Sequence, residues 1–182
     1  MSAWRQAVAI AVLPGTAAIL VPAVIVAAGD GPDPGWGGGG LIAGLSIAAG
    51  TALAAAGFAL WAWTVRLFAR IGRGTLAPWD PTRRLVVAGP YRHVRNPMIS
   101  AVLAVLVGEG LLLGAPGVLI WAVAFLAINW TYFVLSEEPG LERRFGADYR
   151  AYKSAVPRWL PRRTPWEGSD PLGSDPKGSE GP

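Results

Sequence analysis

Two long stretches of this 182-residue chain contain no charged side chain. Residues 6–29 and residues 34–65 lack Asp, Glu, Lys and Arg, and a helix needs only about 20 apolar residues to cross a bilayer core. A third apolar stretch, residues 97–136, carries the single charge of Glu109. The Gly-Ala-Pro-Gly sequence at residues 114–117 divides it, because glycine and proline together favour a turn. The sequence therefore predicts four membrane-spanning helices, at about residues 6–28, 41–65, 97–113 and 118–135.

The remaining charges are sorted by sign along the chain. Residues 29–40 contain Asp30 and Asp33 and no basic residue, whereas every Lys and Arg lies near the N-terminus, in residues 66–95 or after Glu142. Because basic loops stay in the cytoplasm, we expect a multi-pass protein of the cytoplasmic membrane with both termini inside. This topology explains the net charge of +4, so we expect no nucleic-acid partner. A cleaved signal peptide is the alternative for the first helix.

Composition agrees with a membrane protein and excludes several other classes. The chain is 52% hydrophobic and 15% charged, whereas soluble domains carry about 25% charged residues. Such apolar content excludes a disordered body. With no cysteine and one histidine, neither a disulfide scaffold nor a zinc site of the usual kind is expected, and we predict no metal site.

A second kind of helix is predicted after the last span. Residues 141–156 have apolar side chains at spacings of four, four and three residues, which favours an amphipathic helix. These side chains are Leu141, Phe145, Tyr149 and Tyr152. Basic residues occupy the other faces, as in helices that lie at an anionic membrane interface, so membrane lipids are expected partners.

The domain organisation follows from these elements. We expect one all-α integral membrane domain over residues 1–163, with four spans, a cytoplasmic loop and the amphipathic helix. Residues 164–182 are rich in Gly, Ser, Asp and Pro, which predicts a disordered tail. Small residues dominate residues 44–57, which predicts close helix packing and permits an oligomer.

The residues able to bind a charged ligand gather at one end of the predicted hairpin. Residues 89–98 lead into the third helix, residues 136–141 follow the fourth, and the turn at 114–117 brings both to the cytoplasmic face. They supply Arg92, Arg95, the unpaired N–H groups of a helix N-terminus, Glu137 and Glu138. This set is complementary to a zwitterion such as S-adenosylmethionine.

Several of these residues also have an ordinary structural interpretation. Arginines at a membrane edge, such as Arg83 and Arg84, commonly serve topology or lipid headgroups. His93 is weighed mainly as a loop residue and Glu109 mainly as a polar contact between helices. For Asn129 and Thr131, lining a cavity and bonding across helices stay open as alternatives.

Two parts of the chain resemble a known family. Residues 74–81 (Gly-Thr-Leu-Ala-Pro-Trp-Asp-Pro), 85–86 and 89–98 are similar to the cofactor region of the isoprenylcysteine carboxyl methyltransferase and phospholipid N-methyltransferase superfamily. Its closing segment is matched by Glu-Glu-Pro-Gly-Leu at 137–141 and by scattered residues up to Pro161. The resemblance covers about residues 74–161 and implies an integral membrane enzyme that uses S-adenosylmethionine at its cytosolic face.

The resemblance also implies which residues contact the cofactor, and the charged cluster adds Arg95 and Glu138 to them. The resulting cofactor-binding set is Arg84, Leu85, Val86, Tyr91, Arg95, Asn96, Pro97, Met98, Ile99, Glu137 and Glu138. Two positions depart from the family pattern, which has His where Asn96 stands and Tyr where Ile99 stands.

The expected reaction is transfer of a methyl group to a lipophilic acceptor. A prenylated cysteine, a phospholipid amine and a small hydrophobic metabolite all fit, and the last two are favoured. An amine acceptor would need a base, for which His93 and Glu138 are the candidates. The alternatives are an NADPH-dependent membrane reductase of the sterol-reductase type and a non-catalytic member of the family.

Overall fold

The computed structural model describes residues 11–29, 31–67, 70–71 and 85–168, and within these ranges every regular element is helical. The all-α prediction is therefore confirmed for the described residues. The predictions for residues 1–10, for the loop at 74–81 and for Arg84 lie outside them.

In the described part of the chain, the fold consists of five helices and two short connecting elements. Helix α1 is π-helical over Ala11–Leu20 and α-helical over Val21–Ala28. The other helices are α2 (Leu41–Leu67), α3 (Pro97–Leu113), α4 (Pro116–Tyr132) and α5 (Glu138–Ala155). A 3₁₀ turn, Gly89–Arg92, precedes α3, and a π-helical turn, Phe133–Glu137, joins α4 to α5.

Two of the helices are long and apolar enough to cross a membrane. They are Leu41–Leu67 and the continuous helix Pro116–Ala155, whose apolar part is residues 116–135. Gly15–Ala28 and Pro97–Leu113 are apolar but shorter. The predicted span at 97–113 matches the bounds of α3, and α4 begins two residues before the predicted 118 because Pro116 fits the first helical turn.

The long helices expose large apolar side chains. In α2 the buried residues are Gly50, Gly57 and Thr64, whereas Leu45 and Phe58 are at least 60% exposed. In α4 the exposed side chains include Ile120 and Val123. Apolar faces of this extent are costly in water and are typical of helices that contact lipid.

Glycines set the close approach of α2 to α3. A Cβ atom on Gly50 would lie 2.7 Å from the carbonyl oxygen of Gly108, and one on Gly57 would lie 2.7 Å from that of Ala101. The close packing predicted for residues 44–57 is thus observed, although Gly44 faces open space. Small residues allow two helix backbones to touch in this way.

The α3–α4 hairpin carries the core of the bundle. Val102, Leu106, Ala122 and Phe125 form a buried cluster between the two helices. The hairpin turns at Gly114, which has the left-handed conformation (φ 57°) that commonly ends a helix. Helix α1 packs against both helices of the hairpin: Ala17 and Ala18 contact the same buried cluster, and the Trp121 indole N–H donates to the Ala17 carbonyl oxygen at 2.9 Å.

Helix α5 differs from the predicted interfacial helix in two ways. It begins at Glu138 and not at residue 141, and it is kinked at Gly146, whose φ of 52° favours glycine. Its apolar side chains pack on the protein itself: Tyr149 and Tyr152 are buried against Leu85, Val87 and Trp166. The apolar face of α5 is therefore covered by the protein, and this face is not needed to hold the helix at a membrane interface.

Contacts with the rest of the fold continue beyond the predicted boundary at residue 163. Residues 164–168, which the composition assigned to a disordered tail, include Trp166, whose indole lies 5.6 Å from the Tyr152 ring. The Trp166 backbone N–H also donates to the Arg92 carbonyl oxygen at 2.9 Å. The first residues of the predicted tail are therefore part of the fold.

Candidate active site

The hairpin brings the two predicted segments together at one end of the bundle. Tyr91 is buried in the turn before α3, and its carbonyl oxygen accepts a 2.7 Å hydrogen bond from the Tyr152 hydroxyl of α5. Arg95 reaches across to the start of α5, where its Nη1 lies 2.7 Å from Glu138 Oε1. Residues 89–99 and 137–138 thus form one continuous surface.

Glu138 is the centre of a buried ionic cluster. Its side chain is 7% exposed and is held by three cations. Arg158 donates to both carboxylate oxygens at 2.7 and 3.0 Å, Arg95 donates to Oε1, and Lys153 lies 3.4 Å from Oε2. Burial alone would raise the pKa of Glu138, but the hydrogen bond from Arg158 and the three positive charges outweigh it and lower the pKa.

Glu137 has a different environment although it is the next residue. It lies just beyond the apolar part of the α4 helix and is half-buried. Burial raises the pKa of Glu137 to about 7, Arg144 works against this effect, and the Glu138 charge adds to it. Burial, Tyr152 and the Glu137 charge raise the pKa of Tyr91, which therefore lies within electrostatic reach of this carboxyl group.

The beginning of α3 presents backbone donors on the same surface. Asn96 is the N-cap residue, but its side chain makes no capping hydrogen bond; its carbonyl oxygen accepts from Ser100 N and Oγ, both at 3.1 Å. Pro97, which is buried, occupies the first helical position. Helix N-termini that lack a side-chain cap bind anions through their first backbone N–H groups.

Arg95 also carries a donor that the ionic cluster does not use. Its Nε is buried and has no hydrogen-bond partner in the part of the chain that the structure describes. The same residue contacts Tyr149: burial and Glu138 raise the pKa of Tyr149 to about 12, and a hydrogen bond with Arg95 only partly offsets them. Arg95 is therefore fixed at the site with one N–H still to be satisfied.

Residues 157–167 form a C-terminal strap along the turn before α3. Arg95 N–H donates to the Pro157 carbonyl, Arg162 N–H to the His93 carbonyl and Trp166 N–H to the Arg92 carbonyl, each at 2.9 Å. Side chains repeat this pairing, because His93 Nδ1 lies 2.9 Å from the Arg162 carbonyl oxygen and Arg92 Nε donates to the Trp166 carbonyl oxygen at 2.8 Å. The strap fixes the shape of residues 91–95.

The strap is also fastened to the end of α4. The Trp159 ring stacks on Trp130 with ring centres 6.1 Å apart and meets Phe133 edge-on at 6.0 Å. The Arg158 guanidinium lies 5.2 Å from the centre of the Trp130 ring. Helix α4, helix α5 and the turn before α3 are thus joined by one short segment.

The remaining predicted residues divide between the surface and the interior. Val86 is buried, Leu85 packs against the Tyr149–Tyr152 cluster, and Met98 is half-buried at the start of α3. Ile99 packs against the core between α3 and α4. His93 is pinned to the strap through Nδ1.

The sequence analysis assigned no site role to several residues that build this surface, although some of them were noted in the amphipathic helix and in the family resemblance. They are Tyr149, Tyr152, Lys153, Arg158, Arg162 and Trp166. The adjacent carboxylates Glu137 and Glu138 require nearby cations, and this requirement could have pointed to Lys153 and Arg158. The backbone hydrogen bond of Trp166 has no signal in the neighbouring sequence.

Comparison with known proteins identifies the family. The sequence profile of the phospholipid methyltransferases matches residues 44–148, which include most of α2, all of α3 and α4, and Arg95 and Glu138 of the ionic cluster. No curated protein and no solved structure shows significant similarity to the chain. The match covers more than half of the sequence and agrees with the superfamily that the motifs resemble. The chain belongs to the phospholipid methyltransferase family and is a membrane methyltransferase.

Proposed function

We propose that the protein transfers a methyl group from S-adenosylmethionine to a lipid acceptor, at the end of the bundle where α3 begins and α4 ends. The observation that carries the proposal is that the turn before α3 and the end of α4 meet within the segment that matches the family, where Arg95, just before α3, bonds to Glu138, the residue after Glu137, at 2.7 Å. The methyl donor and the kind of acceptor are expectations from that family and from the chemistry of this surface.

The polar groups at this end suit a zwitterionic cofactor. S-adenosylmethionine has a carboxylate at one position and positive charges on its ammonium and sulfonium groups. The Arg95 Nε and the uncapped backbone N–H groups at the start of α3 are donors that fit the carboxylate. Glu137 is the carboxyl group that fits a positive charge, because it is half-buried and, unlike Glu138, it is not held by three cations.

The residues of this chain would then bind, orient and shield. S-adenosylmethionine would supply an already activated methyl group, so the protein has mainly to position the reactants and exclude water. Arg95 is oriented by Glu138, and Glu138 is oriented by Arg158 from the strap. The strap and the buried Tyr91 close one side of the surface.

Of the two residues considered as a base, Glu138 is the weaker candidate. It is held by three cations, and its lowered pKa makes it a poor proton acceptor near neutral pH. His93 donates its Nδ1–H to the Arg162 carbonyl oxygen, which leaves Nε2 as the nitrogen that could accept a proton. We therefore assign a positioning role to Glu138 and keep His93 as the candidate base for an amine acceptor.

We further propose that this end faces the cytoplasm and that α1 to α4 all span the cytoplasmic membrane, with both termini inside. In support, Arg92, Arg95 and Arg158 cluster here, and the half-exposed indoles of Trp63 and Trp130 fit the aromatic belt of a membrane interface. Since the chain has no cysteine, single cysteines can report topology directly.

Labelling tests this orientation. In intact cells an impermeant maleimide should label Gly39→Cys in the loop between α1 and α2, whereas Thr164→Cys in the strap should require permeabilisation. Labelling of Thr164→Cys in intact cells would place the proposed active site on the wrong side of the membrane.

Transfer of tritiated methyl groups from S-adenosylmethionine tests the activity. Purified protein in lipid nanodiscs should move label into the chloroform-extractable lipid when phosphatidylethanolamine is present. The Glu137→Gln variant, which keeps the size of the side chain, should lose most of this transfer. If the label stays in the aqueous phase with every phospholipid offered, a phospholipid acceptor is excluded. If S-adenosylhomocysteine still binds in that case, the proposed methyl donor remains supported.

A further inference from the structure

A cavity of about 710 Å³ lies at the opposite end of the bundle from the candidate active site. Its walls are the second half of α1, the chain that follows α1 and the end of α3. The lining residues are Ile19, Pro22, Ala23, Val26, Ala27, Gly29, Gly31, Pro32, Glu109 and Leu113. This volume is in the usual range of small-molecule pockets, and the lining is almost wholly apolar.

Among the described lining residues, Glu109 is the ionisable one. Its Oε2 atom is buried and has no hydrogen-bond partner among the described residues. A carboxyl group in the apolar part of a membrane protein is costly and is normally paired or functional. The function proposed above does not use Glu109, because it lies 13 residues after Asn96, about 20 Å along the axis of α3.

The chain around the cavity is fixed by hydrogen bonds. The Asp33 backbone N–H donates to the Leu113 carbonyl oxygen at 2.8 Å, and the Trp36 indole N–H donates to the Leu111 carbonyl oxygen at 3.2 Å. These bonds satisfy carbonyl groups that the end of α3 would otherwise leave unpaired. The loop is therefore anchored to α3, and these bonds hold one wall of the cavity in place.

We propose that this cavity binds a lipophilic cation, such as an alkylammonium group on an apolar chain. A positive charge or N–H donor would pair with Glu109, and an alkyl chain would contact the aliphatic wall of α1. No basic residue belongs to the described lining, so the phosphate of a zwitterionic phospholipid would find no partner there. The ligand class is consequently an amine that lacks an anionic group.

Native mass spectrometry of the detergent-solubilised protein tests the proposal with three defined probes. Dodecylamine is cationic at pH 7, dodecanol has the same chain without the charge, and a lysophosphatidylethanolamine carries an amine and a phosphate. We expect one saturable equivalent of dodecylamine, with the other two probes binding at least about tenfold more weakly. Equal or tighter binding of either of them would overturn the proposed ligand class.

Two variants locate the bound amine, and a third serves as the control. Glu109→Gln removes the charge and Ala23→Phe fills the cavity from α1, so each should weaken dodecylamine binding at least about tenfold. Ala127→Phe adds the same bulk at an exposed position on α4 and should bind like the parent protein. Binding of S-adenosylhomocysteine at the other end of the bundle shows that a cavity variant is folded. Failure of the parent protein itself to bind S-adenosylhomocysteine would count against the proposed function and not against the cavity. If both cavity variants bind dodecylamine like the parent protein, the proposal is wrong.

Discussion

Two carboxylates, one near each end of helix α3, have opposite surroundings. At the beginning of α3, Glu138 is held by Arg95, Arg158 and Lys153 at distances of 2.7 to 3.4 Å. Near the end of the same helix, Glu109 is half-buried, and its Oε2 atom has no hydrogen-bond partner among the described residues. The first carboxylate joins three chain segments, whereas the second lines a cavity.

The difference separates a carboxylate that holds chain segments together from one for which a ligand is proposed. A buried charge with several partners is part of the architecture, and removing it leaves those partners unpaired. A buried polar atom without a partner is rare in folded proteins, and the proposed amine would satisfy Oε2 of Glu109. Glu137 lies between the two cases, because burial raises its pKa and Arg144 lowers it, whereas three cations act on Glu138.

The largest effect is expected from Glu138→Ala. The substitution leaves Arg95 and Arg158 largely buried without a counter-charge, which should lower the free energy of unfolding by about 3–5 kcal/mol. Thermal unfolding in detergent measures the loss. The control Glu142→Ala removes an exposed partner of Lys153 and should change stability by less than about 0.5 kcal/mol. Equal effects of the two substitutions would mean that the cluster is not structural.

Glu137→Gln should act on stability in the opposite direction. The Glu137 pKa is about 7 in the folded protein and near its ordinary 4.5 in the unfolded chain, so the folded state binds more protons between these values. The parent protein consequently loses stability as the pH rises from 4.5 to 7, and the glutamine variant does not. At pH 8 the variant should be more stable by up to about 3 kcal/mol, and at pH 4.5 by little.

Melting curves at both pH values decide this prediction. A variant that is less stable than the parent protein at pH 8 would show that Glu137 is paired in the way that Glu138 is, and the contrast between the two carboxylates would fail.

Trp166→Ala tests whether the strap stabilises the active-site end. The substitution removes the contact with the Tyr152 ring and loosens the backbone pairing with Arg92. Because Trp166 is only half-buried, we expect a loss of about 2 kcal/mol, less than for a fully buried tryptophan. The matched control is Leu160→Ala, at a strap side chain that is 80% exposed. Unchanged melting temperatures in both variants would show that the strap lies on the surface without stabilising the fold.

The pH dependence of ligand binding is the smallest of the expected effects. If ionised Glu137 binds the positive part of the ligand, affinity for S-adenosylhomocysteine should rise about tenfold from pH 6 to pH 8 and level off above, since the pKa is about 7. Calorimetric titration across this range measures the change. A flat profile, or a rise below pH 6, would exclude ionisation of Glu137 as the cause.

Much of the bundle could be predicted because long apolar helices and their ends have signals in the local sequence. Charge-free stretches indicated α2 and α4, and α3 was delimited by Pro97 at its first position and Gly114 in the left-handed conformation after its end. The pairing of residues 89–98 with Glu137 and Glu138 followed from the hairpin alone.

The environment of each carboxylate could not be predicted in the same way. Arg158 reaches Glu138 only because the chain turns at Gly146 and again after α5, and neither bend has a periodic signal. The hydrogen bonds of the strap are mostly made by the backbone, so the side chains of residues 157–167 do not encode their partners. For Ile99, whose family position suggests cofactor contact, the sequence did not show that its partly buried side chain also packs against the core cluster.

The most direct test of the proposed function is calorimetric titration of S-adenosylhomocysteine into the parent protein and two charge-removing variants. Glu137→Gln should weaken binding by about 10- to 100-fold, or roughly 1.4–2.8 kcal/mol, since it removes the carboxylate assigned to the ligand. Glu109→Gln, at the far end of α3, should bind like the parent protein. Saturable binding that is the same in all three proteins would contradict the assignment of Glu137, and no binding to a folded parent protein would contradict the active site itself.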